Sequence, residues 1–320
     1  MLRNTRSQSL LGVFCLVFFL VLPTLGAKFN AKDFFLYVDK SCDKLEEVVN
    51  EAGDGMNALV EAALNSFNWT PLSEKTFIAY WGTITENMAQ NSGIVRFDYE
   101  KLGAAMEKKR YSLYCDGSAF SYVTTNPEGV EKGKHWDDGK GRWYIAADRR
   151  EPNLENFIIK GEKRPDFCTS NDGKKMVAGA SVPGQPFIVL CPAAFTTGGR
   201  VKYTSLSNVK DKKQPDKTNL DAMVSTSAVM IHEFSHAVLC TNFFPSQTEL
   251  YGQLFCRLGA KKQPSRVRKN ADTFSTYATA AYLSQNAWVT GLAEDKTAYN
   301  MQKSGQSSGH KPPGRRRNFK

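Results

Sequence analysis

The apolar positions of this chain fall into blocks with different periods. Between residues 33 and 66, Leu45, Val48, Val49, Met56, Leu59, Val60 and Leu64 recur at three- and four-residue spacing, which predicts an amphipathic helix. Further helices are predicted from Tyr99 to Arg110 and from Ala271 to Leu283. Residues 111–165 are rich in Gly, Asp, Lys and aromatic residues. They alternate in Ala119-Phe-Ser-Tyr-Val-Thr124 and Arg142-Trp-Tyr-Ile-Ala146, so short strands and loops are predicted there. Phe187-Ile-Val-Leu190, ending at Cys191-Pro192, reads as a buried strand. After a polar loop at 207–218, apolar residues flank positions 232–236 on both sides and predict a buried helix, with Asn219 or Asp221 as its N-cap. The expected architecture is α-rich α+β with a small sheet beside this helix.

The N-terminus has its own pattern. Arg3 and Arg6 precede an apolar run from Leu10 to Leu22, and Leu25-Gly-Ala27 supplies small residues for cleavage. This predicts a secretory signal over 1–27, because the run is short for a membrane span. No other stretch is apolar enough to cross a bilayer, so the mature chain is expected to be secreted and without a membrane span. Six of the seven cysteines lie beyond the signal, an even count that suits disulfides in a secreted chain. Asn68-Trp-Thr70 is a glycosylation sequon on the same route.

Charge changes the picture less than its total suggests. The chain carries a formal +10, but the signal contributes two positive charges and residues 302–320 contribute six, with no acids in either. The remainder, residues 28–301, is nearly balanced. The basic character therefore sits in a Gly-, Ser- and Pro-rich tail over 301–320 that is expected to be disordered. Nucleic acid is not expected as a partner.

The candidate chemistry lies in the buried helix. The chain has four histidines, and two stand in His232-Glu-Phe-Ser-His236. Residues i and i+4 share a helix face, so both imidazoles can grip one Zn²⁺. Glu233 can then reach a water on the metal as a general base. A catalytic zinc needs a third protein ligand. The metzincin pattern requires a glycine and a histidine where Leu239 and Asn242 stand, so that family is excluded. His135 lies in a loop and His310 in the basic tail. The third ligand is therefore expected to be a carboxylate, with Glu249 and Asp272 as the candidates.

Around these residues the chain resembles the aspzincin peptidases, the deuterolysin and lysine-specific metallo-endopeptidase group of secreted fungal enzymes. His232-Glu-Phe-Ser-His236 is close to that family's HEFTH, and Asn270-Ala-Asp-Thr-Phe-Ser-Thr-Tyr-Ala278 is similar to its NADTYxxYA helix. Cys42, Cys115, Cys168 and Cys191 fall in the order of the family's first two disulfides. The resemblance covers about residues 37–285, with 116–167 as an insertion. It implies a zincin-like catalytic domain over 28–300 with an active-site helix and a small antiparallel sheet. It also implies a monomeric zinc endopeptidase acting on proteins or peptides. Cys42 is expected to pair with Cys115 and Cys168 with Cys191, which leaves Cys240 and Cys256 for a third bond. Tyr251 resembles the family tyrosine that donates a hydrogen bond to the oxyanion. One position departs: aligning Tyr251-Gly252 on the family's GTxDxxYG puts Thr248 where the ligand aspartate stands. Glu249 is the adjacent carboxylate and the preferred third ligand. Asp272 is the alternative and otherwise orients a histidine. The departure keeps open a second reading, a catalytically impaired zinc-binding protein serving as an effector or metal scavenger.

Overall fold

The computed structural model describes residues 28–82, 88–124, 141–150, 158–160, 163–170, 173–196, 199–241 and 248–300. The expectations for the signal, the basic tail, His135 and His310 lie outside the described residues. No described helix is long and apolar enough to cross a membrane.

The chain opens with α1 (Ala31–Phe34) and β1 (Tyr37–Val38), followed by a 3₁₀ turn at Lys40–Leu45. Three helices follow, α2 (Glu46–Asn65), α3 (Pro71–Trp81) and α4 (Met88–Glu107). Then come β2 (Ser112–Tyr114), β3 (Phe120–Val123), β4 (Arg142–Ile145), β5 (Ile158–Lys160), β6 (Gly179–Ser181) and β7 (Phe187–Leu190). The C-terminal part holds α5 (Pro192–Phe195), α6 (Thr226–Leu239), α7 (Gln253–Lys262), α8 (Pro264–Val267) and α9 (Ala271–Tyr282). The result is the expected α-rich α+β fold. One apolar core joins α2, α4, α6 and α9, and a smaller aromatic cluster lies under β3 and β4.

Two predicted helices have different bounds. The 33–66 pattern becomes a continuous helix only from Glu46. Upstream, Asp39 accepts a hydrogen bond from the Ser41 amide at 2.9 Å and starts the 3₁₀ turn, and Cys42 is tied to Cys115. The helix expected from Tyr99 begins at Met88, inside a polar stretch that the core still covers on one side. Helix α3 has a capping box at Thr70 and Ser73 with Pro71 in the first turn, a start signal that the apolar pattern alone does not display.

A small antiparallel sheet, β3–β4–β5, is formed by the segment around 116–167, away from α6. The sheet beside α6 differs. Its order is β1-β2-β7-β6, with β1, β2 and β7 parallel and only the β6–β7 edge antiparallel. The physical reason is the connection: three helices separate β1 from β2, and a crossover of that length returns the chain in the same direction. The β6–β7 link is a short turn, which reverses it. Disulfides join Cys42 to Cys115 and Cys168 to Cys191.

The expected third bond, between Cys240 and Cys256, is absent. Cys240 ends α6 in a left-handed conformation (φ 52°) and is exposed. Cys256 is buried in α7, where its thiol faces the Leu250 carbonyl at 3.5 Å. The two helices present their sulfurs to different surroundings.

The second sheet is anchored to the first by an ion pair. Arg149, just after β4, donates its Nε–H to Asp39 Oδ2 at 2.7 Å, and Tyr37 donates its hydroxyl to the same oxygen at 3.2 Å. Asp39 is fully buried. Burial alone would raise its pKa, but the Arg149 and Ser41 hydrogen bonds outweigh this and hold the carboxyl below its ordinary value. The pairing thus stabilises the fold fully above the unfolded carboxylate pKa of about 3.9, and the contribution is lost as the pH falls through the lower folded value. Asp39→Asn is expected to cost about 3 kcal/mol at neutral pH, since it removes the buried counter-charge of Arg149. Denaturant unfolding at pH 7 and pH 3 checks this: the gap between parent and variant narrows at the lower pH.

Candidate metal centre

Helix α6 carries the site, and its burial has a local cause. Ser225 caps it, accepting from the Ala228 amide at 3.2 Å, while Asn219 caps the preceding 3₁₀ turn at Leu220–Met223 instead. This corrects the expected cap and shortens the helix at its start. Apolar residues lie on most faces, so α6 packs between α2 and α9 and is rigid by enclosure. His232 and His236 emerge one turn apart at a cleft of about 1230 Å³. Their Nε2 atoms are 3.2 Å from each other.

The loop after α6 brings in Glu249. Its carboxylate lies 3.4 Å from His232 Nε2 and 3.6 Å from His236 Nε2. One ligand atom from each of His232, His236 and Glu249 falls within a 4.8 Å group that could hold a metal ion. Helix α9 positions that loop. Asn270 pairs with both polar groups of Leu250, accepting from its amide at 2.8 Å and donating to its carbonyl at 3.0 Å. Asp272 accepts from the Gly252 amide at 2.5 Å, and its own amide donates to Glu249 Oε1 at 3.3 Å. Gly252 sits at φ 82°, a left-handed turn that glycine adopts without steric cost.

Asp272 itself occupies the other edge of the His232 ring, with Oδ1 3.4 Å from Nδ1. For His236, the Thr241 carbonyl lies 3.2 Å from Nδ1. Each Nδ1 thus has an oxygen partner, and each Nε2 faces the central group. Such partners fix the ring and its tautomer. Thr248 is exposed, and its carbonyl is held by Arg266.

Glu233 is buried. Its Oε1 lies 4.0 Å from His232 Nε2, and its Oε2 accepts from the Ser181 hydroxyl at 2.6 Å. The Tyr251 ring stacks on His232 with centroids 5.9 Å apart and remains half-exposed to the cleft. The Arg200 guanidinium lies 5.3 Å from the Tyr251 ring centre. Ser181, Thr241 and Arg200 escape a reading of the sequence, because no spacing links them to the histidines.

The surroundings of the histidines favour positive charge. Burial alone would lower the His232 pKa, but Glu249, Asp272 and Glu233 outweigh it and hold the imidazole well above its ordinary value. Burial would raise Glu249, yet the two imidazoles hold its carboxyl well below the usual range. Burial, and then Glu249, push the Tyr251 phenol up. Three carboxylates around two imidazoles, with little solvent, form a pocket where a positive charge is strongly favoured.

No protein-family model and no curated protein matches the chain. Among solved structures it is similar to the zinc peptidase from Grifola frondosa, at 12% identity over 74% of this chain and 95% of that chain, with a TM-score of 0.40. That likeness is too distant to decide the chemistry, which rests on the side chains themselves.

Proposed function

We propose that the chain is a secreted, zinc-dependent endopeptidase of aspzincin type, with a catalytic domain over 28–300 released from a signal over 1–27. The observation that supports it most is the convergence of His232 Nε2, His236 Nε2 and the Glu249 carboxylate, with Glu233 beside them in an open cleft. The donor set fits zinc: two neutral imidazoles and one carboxylate are the ligands of many catalytic zinc sites, which keep a fourth position open. His232, His236 and Glu249 would hold the ion, and Asp272 would orient His232 from behind. Placing Asp272 as the ligand would require the ring of His232 to turn over, since it faces Nδ1.

A bound Zn²⁺ supplies Lewis-acid polarisation of a carbonyl oxygen and lowers the pKa of water. The protein supplies the rest. The Glu233 carboxylate accepts the proton of the attacking water and passes it to the leaving nitrogen of the scissile peptide. The Tyr251 hydroxyl, at the cleft edge of the same site, donates to the carbonyl oxygen as negative charge develops there. The substrates are proteins or peptides, taken into the cleft.

Metal removal tests this reading. The purified chain is expected to carry one equivalent of zinc, to lose hydrolysis of an unfolded protein on chelation, and to regain it with Zn²⁺. Zinc binding without any hydrolysis would instead establish the impaired zinc-binding protein.

A further inference from the structure

The geometry points to strand β6 as a clamp that positions the Glu233 carboxylate, through the absent side chain of Gly179 and the hydroxyl of Ser181. This inference rests on the reading of Glu233 as general base. Strand β6 is the edge of the four-stranded sheet and lies against α6. Gly179 and Ser181 are two apart and share the face turned to α6, while Ala180 between them packs into the aromatic cluster on the other side. Ser181 donates to Glu233 Oε2 at 2.6 Å. Gly179 lets the strand approach the same side chain: a Cβ there would sit 2.7 Å from Glu233 Cγ and 2.8 Å from Cδ, inside van der Waals contact. One residue thus grips an oxygen, and the other leaves the space in which the carboxylate lies.

The physical need is clear. A glutamate has three rotatable bonds, and a base must be held near its productive position to act at full rate. Ser181 and Gly179 supply that restraint from outside the helix. Ser181 is therefore a positioning residue, and Gly179 is the position where added volume displaces the base.

Three variants of the full mature chain test the clamp: Ser181→Ala, Ser181→Thr and Gly179→Ala. Crystal structures of the metal-free proteins are read for the Glu233 rotamer, and kcat, KM and zinc content are read on the loaded ones. In Ser181→Ala, Glu233 is expected to leave its single rotamer, and kcat falls about ten- to a hundredfold with KM and zinc content unchanged. Ser181→Thr keeps the hydroxyl and restores both. In Gly179→Ala the carboxylate is displaced from the space beside β6. An unmoved Glu233 rotamer in Ser181→Ala and Gly179→Ala overturns the inference. An inactive parent protein sinks the peptidase reading alone, because the rotamer still decides the clamp.

Discussion

Glu233→Gln is expected to retain zinc and to lower kcat by about 10²–10⁴-fold on a protein substrate. The change keeps the shape of the side chain, and an amide oxygen can still accept the Ser181 hydroxyl at the place where Oε2 now lies. Glu233 is buried beside His232, so the neutral side chain adds no steric conflict. Only the ability to take a proton is lost. The pair of measurements is zinc content by elemental analysis and steady-state hydrolysis. Hydrolysis at the parental rate would refute the role of Glu233, whereas loss of zinc together with activity would point to a structural role instead.

Glu249→Ala is expected to weaken zinc binding by more than about 100-fold and to remove activity with it. Outer partners of a ligand histidine typically contribute about 10–100-fold to metal affinity, and a ligand itself must exceed them. Asp272→Asn is expected to fall within that smaller range, because Asp272 meets the far edge of His232 and also holds the Gly252 amide. Thr248→Val is expected to leave affinity unchanged, since the residue is exposed and offers the site nothing. Competition titration with a chromophoric chelator ranks the three. A larger loss for Asp272→Asn than for Glu249→Ala would transfer the ligand role to Asp272.

The chelation and clamp experiments bear on the same site from the metal and the sheet sides. Together with the ranking, they separate who holds the ion from who moves the proton.

Much of the site is legible in the residues. His232, Glu233 and His236 are local: a helix period alone puts both imidazoles on one face, whatever the rest of the fold does. The Asn270-Ala-Asp272 start of α9 is visible as a motif, and the two disulfides match the pairing that the family resemblance implied. Other expectations depended on distance in space. The free state of Cys240 and Cys256 follows from how α6 ends and which way α7 turns, and neither is written in their spacing. The parallel pairing of β1 with β2 follows from the helices between them.

The sequence by itself determined a helix bearing two histidines and a glutamate, the α-rich character, and the short list of carboxylates that can complete the group. Tertiary structure alone placed those carboxylates in space. It set Glu249 against both Nε2 atoms and Asp272 against Nδ1, and brought Ser181 and Gly179 onto Glu233. The physical reason is range. Helical periodicity acts over four residues, whereas the contacts that bring Glu249 to the histidines and Ser181 to Glu233 link segments 17 residues apart (232 to 249) and 52 residues apart (181 to 233). These contacts exist only once α6, α9 and β6 pack around one core.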